Sequence, residues 1–246
     1  MILPDLETWR WALGAACALM IGVAKTGAPG LAILTIPLMV FTVGDARLAA
    51  AWTAPMLIVG DVFAVVYWRR QAEVKALLAL APWVAAGMLL GGAALRLDDA
   101  IVRRVLAVII LIMVGLTIAS RRRTAAPPAG ARGQTSAYGI AAGFATTLAN
   151  AAGPVMSAYL LLKRMPKEQL VATGAWFYLT VNIAKLPIYA ANGLLSVDSF
   201  TFDLLMAPLV AAGAIGGFGL LRRIPQRAFD VLTLGLAAAS ALALLR

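Results

Sequence analysis

Residues 81–91 read APWVAAGMLLG, and residues 207–217 read APLVAAGAIGG. Both stretches are uncharged and consist of small and large aliphatic residues around one proline, a composition suited to a helix surrounded by apolar material. At an offset of 126 residues, Ala81, Pro82, Val84, Ala85, Ala86, Gly87 and Gly91 meet identical residues. Alanines coincide easily in such a chain, but a Pro and two Gly kept in register point to an internal duplication. An offset of 121 likewise sets Gly22 against Gly143, Thr26 against Thr147 and Asp61 against Asn182.

Outward from these stretches, the chain alternates long apolar runs with short charged clusters. Residues 76–95, 105–120, 133–162 and 204–221 contain no Asp, Glu, Lys or Arg. A bilayer-spanning helix needs about 20 largely apolar residues. Of the 246 residues, 62% are apolar and 13% charged, against about 45–50% and about 25% in soluble domains. Eight apolar regions follow, at 9–41, 48–68, 76–96, 101–120, 136–162, 170–192, 203–221 and 228–245. The predicted fold is an all-α polytopic membrane protein made of two homologous halves. Residues 1–120 form the first transmembrane repeat and 135–246 the second. They are joined by linker 121–134, RRRTAAPPAGARGQ, which has no apolar period. Met1 to Arg10 carries Asp5 and Glu7 ahead of its only Arg and reads as retained structure, with no cleavable signal. The expected location is the cell inner (plasma) membrane, with several passes.

The first region of each half is long and interrupted. Lys25-Thr26-Gly27-Ala28-Pro29-Gly30 stands in one, and Asn150-Ala151-Ala152-Gly153-Pro154 in the other. Proline removes a backbone donor and glycine loosens the helix. A break at membrane depth survives only where protein or a polar cavity surrounds it, and paired breaks in two halves point to a transporter's binding site. The alternative is a pair of kinked, continuous helices packed through small residues. Loop charge bears on the choice. If both regions cross once, the basic residues divide almost evenly between the two sides. If each folds into two crossings, giving up to ten segments, most fall on the side of Arg69, Arg70, the linker, Lys163, Arg222 and Arg223, which then faces the cytoplasm. Each half would hold an odd number of segments, and the second half would be inverted relative to the first.

Composition also removes function classes. There is no His, so His-ligated metals, haem and imidazole bases lack their residue. The single Cys17 makes neither an intrachain disulfide nor a paired-thiol centre. The charge of +10 sits in short clusters such as Arg121-Arg122-Arg123, which read as membrane-orienting loops and not as a nucleic-acid face. No GxxxxGK[ST] loop is present for ATP. No enzyme constellation, cofactor or metal site is expected.

Three charged residues stand inside apolar runs. Lys25 lies at the first break, Lys185 in TVNIAKLPIYAANG, and Asp61 in LIVGDVFAVVYW. A cation at mid-bilayer costs about 2.5–3.5 kcal/mol on insertion scales and usually faces a cavity or a partner. The competing reading for the lysines is snorkelling to the headgroups. Asp61 is either a structural carboxylate, paired with a lysine, or a proton carrier in transport. Two lysines against one intramembrane acid, with backbone N–H groups freed at the breaks, suit a small anion. The candidate binding set is Lys25, Thr26, Gly27, Gly30, Thr147, Asn150, Gly153, Asn182 and Lys185, with Thr146 as a further donor and Asp61 as coupling candidate. Trp52, Trp176 and Tyr178 stand near this proposed core.

At these residues the chain resembles the sulfite exporter TauE/SafE family of small permeases. The resemblance runs over nearly the whole length. It rests on Gly22 to Gly30 leading to Ile36-Pro37, on Gly143 to Pro154, on Asn182-Ile183-Ala184-Lys185-Leu186-Pro187-Ile188-Tyr189, and on the duplicated Pro/Gly helix. It implies transport of sulfur-containing oxyanions, sulfonates or small organic acids. Many members carry a denser glycine run where this chain has Lys25 and Thr26, so the identity of the anion stays open. The function expected is a secondary transporter of a small anion in membrane lipid, with proton or gradient coupling open. The alternative is a passive anion channel or an accessory membrane subunit. Direction, coupling ion and oligomeric state are not legible.

Overall fold

Glycine and a capping carboxylate set the turn between the second and third helices of this chain. The computed structural model describes residues 4, 6–26, 31–68, 71–122, 133–163 and 165–220, together with 235, 238, 239 and 242. Among them are α1 (Thr8–Thr26), α2 (Leu31–Val43), α3 (Ala46–Trp68), α4 (Val74–Ala94), α5 (Asp99–Arg122), α6 (Gln134–Ala149), α7 (Gly153–Leu162), α8 (Lys167–Ala191) and α9 (Val197–Leu220). Gly44, with φ 91°, follows α2, and Asp45 then opens α3. The Asp45 carboxylate accepts the backbone N–H groups of Arg47 at 2.8 Å and Leu48 at 2.9 Å, an N-cap that satisfies two donors of the first turn. Partial burial alone would raise the Asp45 carboxyl. The Arg47 guanidinium, 2.9 Å away, and the Leu48 N–H outweigh burial and hold it below the usual carboxylate range.

The protein is all-α and polytopic. Among the described residues, Ala46–Trp68, Val74–Ala94 and Val197–Gly217 are long and apolar enough to cross a bilayer. Val66, Leu78, Leu89, Leu204 and Ile215 on these helices are exposed, as suits lipid contact on an apolar outer face. Fewer full spans qualify than the eight regions expected from sequence. The expected fifth region divides into α6 and α7, of 16 and 10 residues. At 1.5 Å per residue, α7 covers about 15 Å, half the hydrocarbon core. The apolar run of α1 is bounded by Arg10 and Lys25, and that of α8 is interrupted by Asn182 and Lys185. Most of the expected eighth region, and Gly27 to Gly30, lie outside the described residues.

Two helix crossings have the same construction. α1 packs along α9, and α6 along α4. A methyl group at Gly22 would sit 2.1 Å from the Val210 carbonyl oxygen, and one at Gly143 would sit 2.1 Å from that of Val84. From the other side, a methyl at Gly213 would lie 2.2 Å from the Leu19 oxygen and one at Gly87 2.2 Å from that of Ile140. Each crossing therefore brings backbone against backbone, an approach that only glycine permits. At the centre, α3 runs antiparallel to α8. Ala64 and Val65 pack on Ala175 and Leu179, Asp61 meets Asn182, and the Glu73 N–H donates to the Thr173 hydroxyl at 2.9 Å.

Candidate functional site

The last turn of α1 carries Lys25 to the α3–α8 seam. Its Nζ stands 2.5 Å from Asp61 Oδ1 in α3 and 4.8 Å from the centre of the Tyr178 ring in α8. Asp61 has no exposed side-chain surface, while Lys25 keeps 13%. The second carboxylate oxygen accepts the Asn182 amide at 2.5 Å. Gly60 makes room for this arrangement, since a methyl there would lie 2.9 Å from Lys25 Cγ.

One turn along α8 from Asn182, Lys185 is fully buried. It donates to the carbonyl and the hydroxyl oxygens of Thr146, each at 3.3 Å, and to the Asn150 side-chain oxygen. These acceptors are neutral. Among the described residues, no carboxylate lies within ion-pair distance of Lys185. Its Nζ also stands 5.9 Å from the ring of Tyr189, whose hydroxyl donates to the Thr147 carbonyl at 2.7 Å.

Asn150 can reach Lys185 because α6 ends there. It adopts the left-handed conformation at φ 54° and ψ 31°, closing α6 as its C-cap, a conformation that Asn tolerates better than most residues. Its backbone N–H returns to the Thr146 carbonyl at 2.9 Å, and its amide donates to the Ala50 carbonyl of α3 at 3.0 Å. Asn150 thus ties α6, α3 and α8 together. A cavity of about 20 Å³ lies beside it, lined by Thr35, Ile36, Ala50, Thr53 and Leu57 among others. That volume admits little more than one water.

The expected set is brought together in part. Lys25, Asp61, Asn182, Lys185 and Asn150 form one connected cluster, with Thr146 as a further acceptor for Lys185. Thr26 stands apart from it, with its hydroxyl directed back to the Gly22 and Val23 carbonyls of its own helix at 3.3 and 3.5 Å. The Thr147 hydroxyl likewise bonds Gly143 at 2.9 Å, so Thr147 offers Tyr189 only its carbonyl. Gly153 opens α7 and accepts the Tyr178 hydroxyl at 3.5 Å. Gly27 and Gly30 lie outside the described residues. Trp52 packs on Phe202, with ring centres 5.3 Å apart, and Trp176 is partly exposed.

Sequence reasoning missed Gly60, whose role shows only against a neighbouring helix, and Asp203. The expectation of one intramembrane acid is corrected by Asp203 in α9, which is 6% exposed with neither carboxylate oxygen hydrogen-bonded among the described residues. It lies close to the charged start of its helix, beside Asp198, where a loop carboxylate was the natural reading. Among the described residues, no three His, Cys, Asp or Glu side chains gather into a metal-binding group.

Among the described residues, the seam brings two lysine side chains, one partly and one fully buried, to a single carboxylate, and that carboxylate pairs with Lys25. The model of the sulfite exporter TauE/SafE family matches residues 14–244. The chain belongs to the sulfite exporter TauE/SafE family. Members of this family are transporters and not enzymes, and the chain is accordingly a multi-pass membrane transporter of small anions. No curated protein and no solved structure matches the chain.

Proposed function

We propose that the chain is a secondary transporter in the cell inner (plasma) membrane that takes a sulfur oxyanion, a sulfonate or a small organic acid into the cluster around Lys25 and Lys185. One observation carries the reading. Lys185 is buried with only neutral acceptors, beside a lysine whose charge Asp61 already matches. A desolvated cation without a counter-charge is costly, and an anion entering the seam offsets that cost far more than it could in water. Full burial of Asp61 and Lys185 describes a closed site, which favours alternating access over an open anion pore.

The proposal includes two repeats of opposite orientation, residues 1–120 and 135–246, meeting at the α3–α8 seam. The matched crossings support it, because Gly22 on Val210 corresponds to Gly143 on Val84 at the offsets read from sequence. The antiparallel course of α3 and α8 supports it too, because corresponding helices related by an axis in the membrane plane run in opposite directions. Asp61 and Asn182, separated by 121 residues, touch each other where such an axis passes.

The test is transport by purified protein in liposomes, using sulfite and a panel of sulfonates and carboxylates. Charge-assisted hydrogen bonds contribute about 1.5–3 kcal/mol, so Lys25→Gln and Lys185→Gln should each lower affinity by roughly tenfold to a hundredfold. Wild-type affinity in both correctly inserted variants would remove the anion from this cluster. Absence of transport by the wild-type chain across the panel would favour an accessory subunit.

A further inference from the structure

With both lysines protonated, Lys25, Lys185 and Asp61 carry two positive charges and one negative one, so the cluster neutralises one added negative charge. It can accept two only if Asp61 becomes uncharged. We propose that the charge on the substrate sets whether a proton travels with it: a monoanion binds with Asp61 ionised and no proton, whereas a dianion binds with one proton on Asp61. This rests on the anion-transport reading above and adds the coupling rule of the same site.

The geometry supports both states of Asp61. With Asp61 ionised, one carboxylate oxygen holds Lys25 at 2.5 Å and the other accepts the Asn182 amide at 2.5 Å. With a proton on that second oxygen, rotation of the Asn182 amide presents its carbonyl as acceptor, because Asn offers a donor and an acceptor at opposite corners of one plane. The same side chain thus satisfies either form. Lys25, released from a neutral carboxyl, remains over the Tyr178 ring, 4.8 Å from its centre. An aromatic face holds an ammonium without consuming its charge. Lys185, one turn from Asn182 on α8 and fully buried, supplies the second cation. Among the described residues, the charged and titratable groups facing Asp61 are Lys25 from α1 and Tyr178 and Lys185 from α8, beside neutral Asn182. Charge balances in both cases. Two ammonium groups meet either one carboxylate plus a monoanion, or a carboxylic acid plus a dianion. The proton comes from the side on which the dianion enters and leaves with it.

Sulfate and methanesulfonate separate the two cases. They are close in size and tetrahedral shape, differ by one charge, and do not titrate near neutral pH. Binding of each to the purified full-length protein is measured by calorimetry from about pH 6 to about pH 8, in buffers of different ionisation enthalpy to count protons. For sulfate, one proton more per anion than for methanesulfonate is expected, with affinity falling about tenfold more steeply per pH unit as pH rises. Protons that the lysines take up are common to both anions, so methanesulfonate should take up one proton fewer than sulfate and show a slope shallower by about one log unit per pH unit. Asp61→Asn should remove the difference in slope and in proton count between sulfate and methanesulfonate. If that variant does not fold, the ligand pair on the wild-type protein still decides. Equal slopes for the two anions, or a flat profile for sulfate, overturn the coupling rule and leave the transport reading standing. Failure of both anions, together with the sulfite and carboxylate panel, to bind at any pH removes the transport reading itself and the rule with it.

Discussion

Alanine at Gly143 should cost as much stability as alanine at Gly22, and both should cost far more than alanine at Gly216. The added methyl would stand 2.1 Å from a carbonyl oxygen at either crossing, whereas among the described residues nothing lies within 4 Å of the same methyl at Gly216. A carbon rests against such an oxygen at about 3.3–3.6 Å, so the helices must part by more than an ångström. The contact is backbone on both sides, with no flexible side chain to yield. Overpacking of this kind costs about 1–3 kcal/mol. For a chain of 150–250 residues, 1 kcal/mol shifts the melting temperature by about 2–4 °C, so a drop of roughly 2–12 °C is expected. The assay is thermal unfolding of the detergent-purified protein followed by size-exclusion chromatography. Gly143→Ala and Gly22→Ala as stable as Gly216→Ala would refute the close approach. A large loss at one crossing and none at the other would refute their equivalence.

Three further outcomes are expected. Lys25→Gln and Lys185→Gln weaken anion binding as described above, read in liposome transport with insertion verified. Asp203→Leu should raise thermal stability by about 1–3 kcal/mol, because it removes a buried carboxyl group with no partner among the described residues, and a fall in melting temperature would reveal a partner that the carboxylate needs. Asp45→Asn keeps a capping oxygen but loses the charge pair with Arg47. Because Asp45 is held below the usual carboxylate range in the folded chain, its contribution is present above the unfolded carboxylate value of about 4 and is lost as pH falls through the depressed value. The stability difference between wild type and Asp45→Asn should therefore vanish on the acid side, and a difference that persists there would contradict the assignment.

The fold was legible wherever one-dimensional pattern is enough. Expected regions 48–68, 76–96 and 101–120 became α3, α4 and α5 to within a few residues, because long, predominantly apolar runs leave little choice but helix in a bilayer. The second break was expected at Asn150 to Pro154, and helix resumes at Gly153, so Pro154 stands in the first turn of α7, where its missing N–H costs nothing. Of the site, Lys25, Asp61 and Lys185 were found because charge is conspicuous among apolar neighbours. Thr26 and Thr147 were expected to face a ligand, but in a helix a threonine hydroxyl commonly bonds the carbonyl one turn back, which spacing alone cannot reveal. That Asp61 binds Lys25, while Lys185 takes Thr146 and Asn150, depends on which helices cross, and no local pattern encodes that.

The packing of α1 on α9 has a consequence for biosynthesis. α4 and α6 are separated by one helix and a linker, so their crossing can close while the rest of the chain is still being translated. α1 is translated well before its partner, with seven described helices between them. Until α9 is inserted, the Gly22 face has lipid or the insertion machinery for company. Two segments about 190 residues apart therefore complete each other, as Gly22 does with Val210, and a chain truncated before α9 would have made α1 to α8 and still lack the contact that shuts α1 into place.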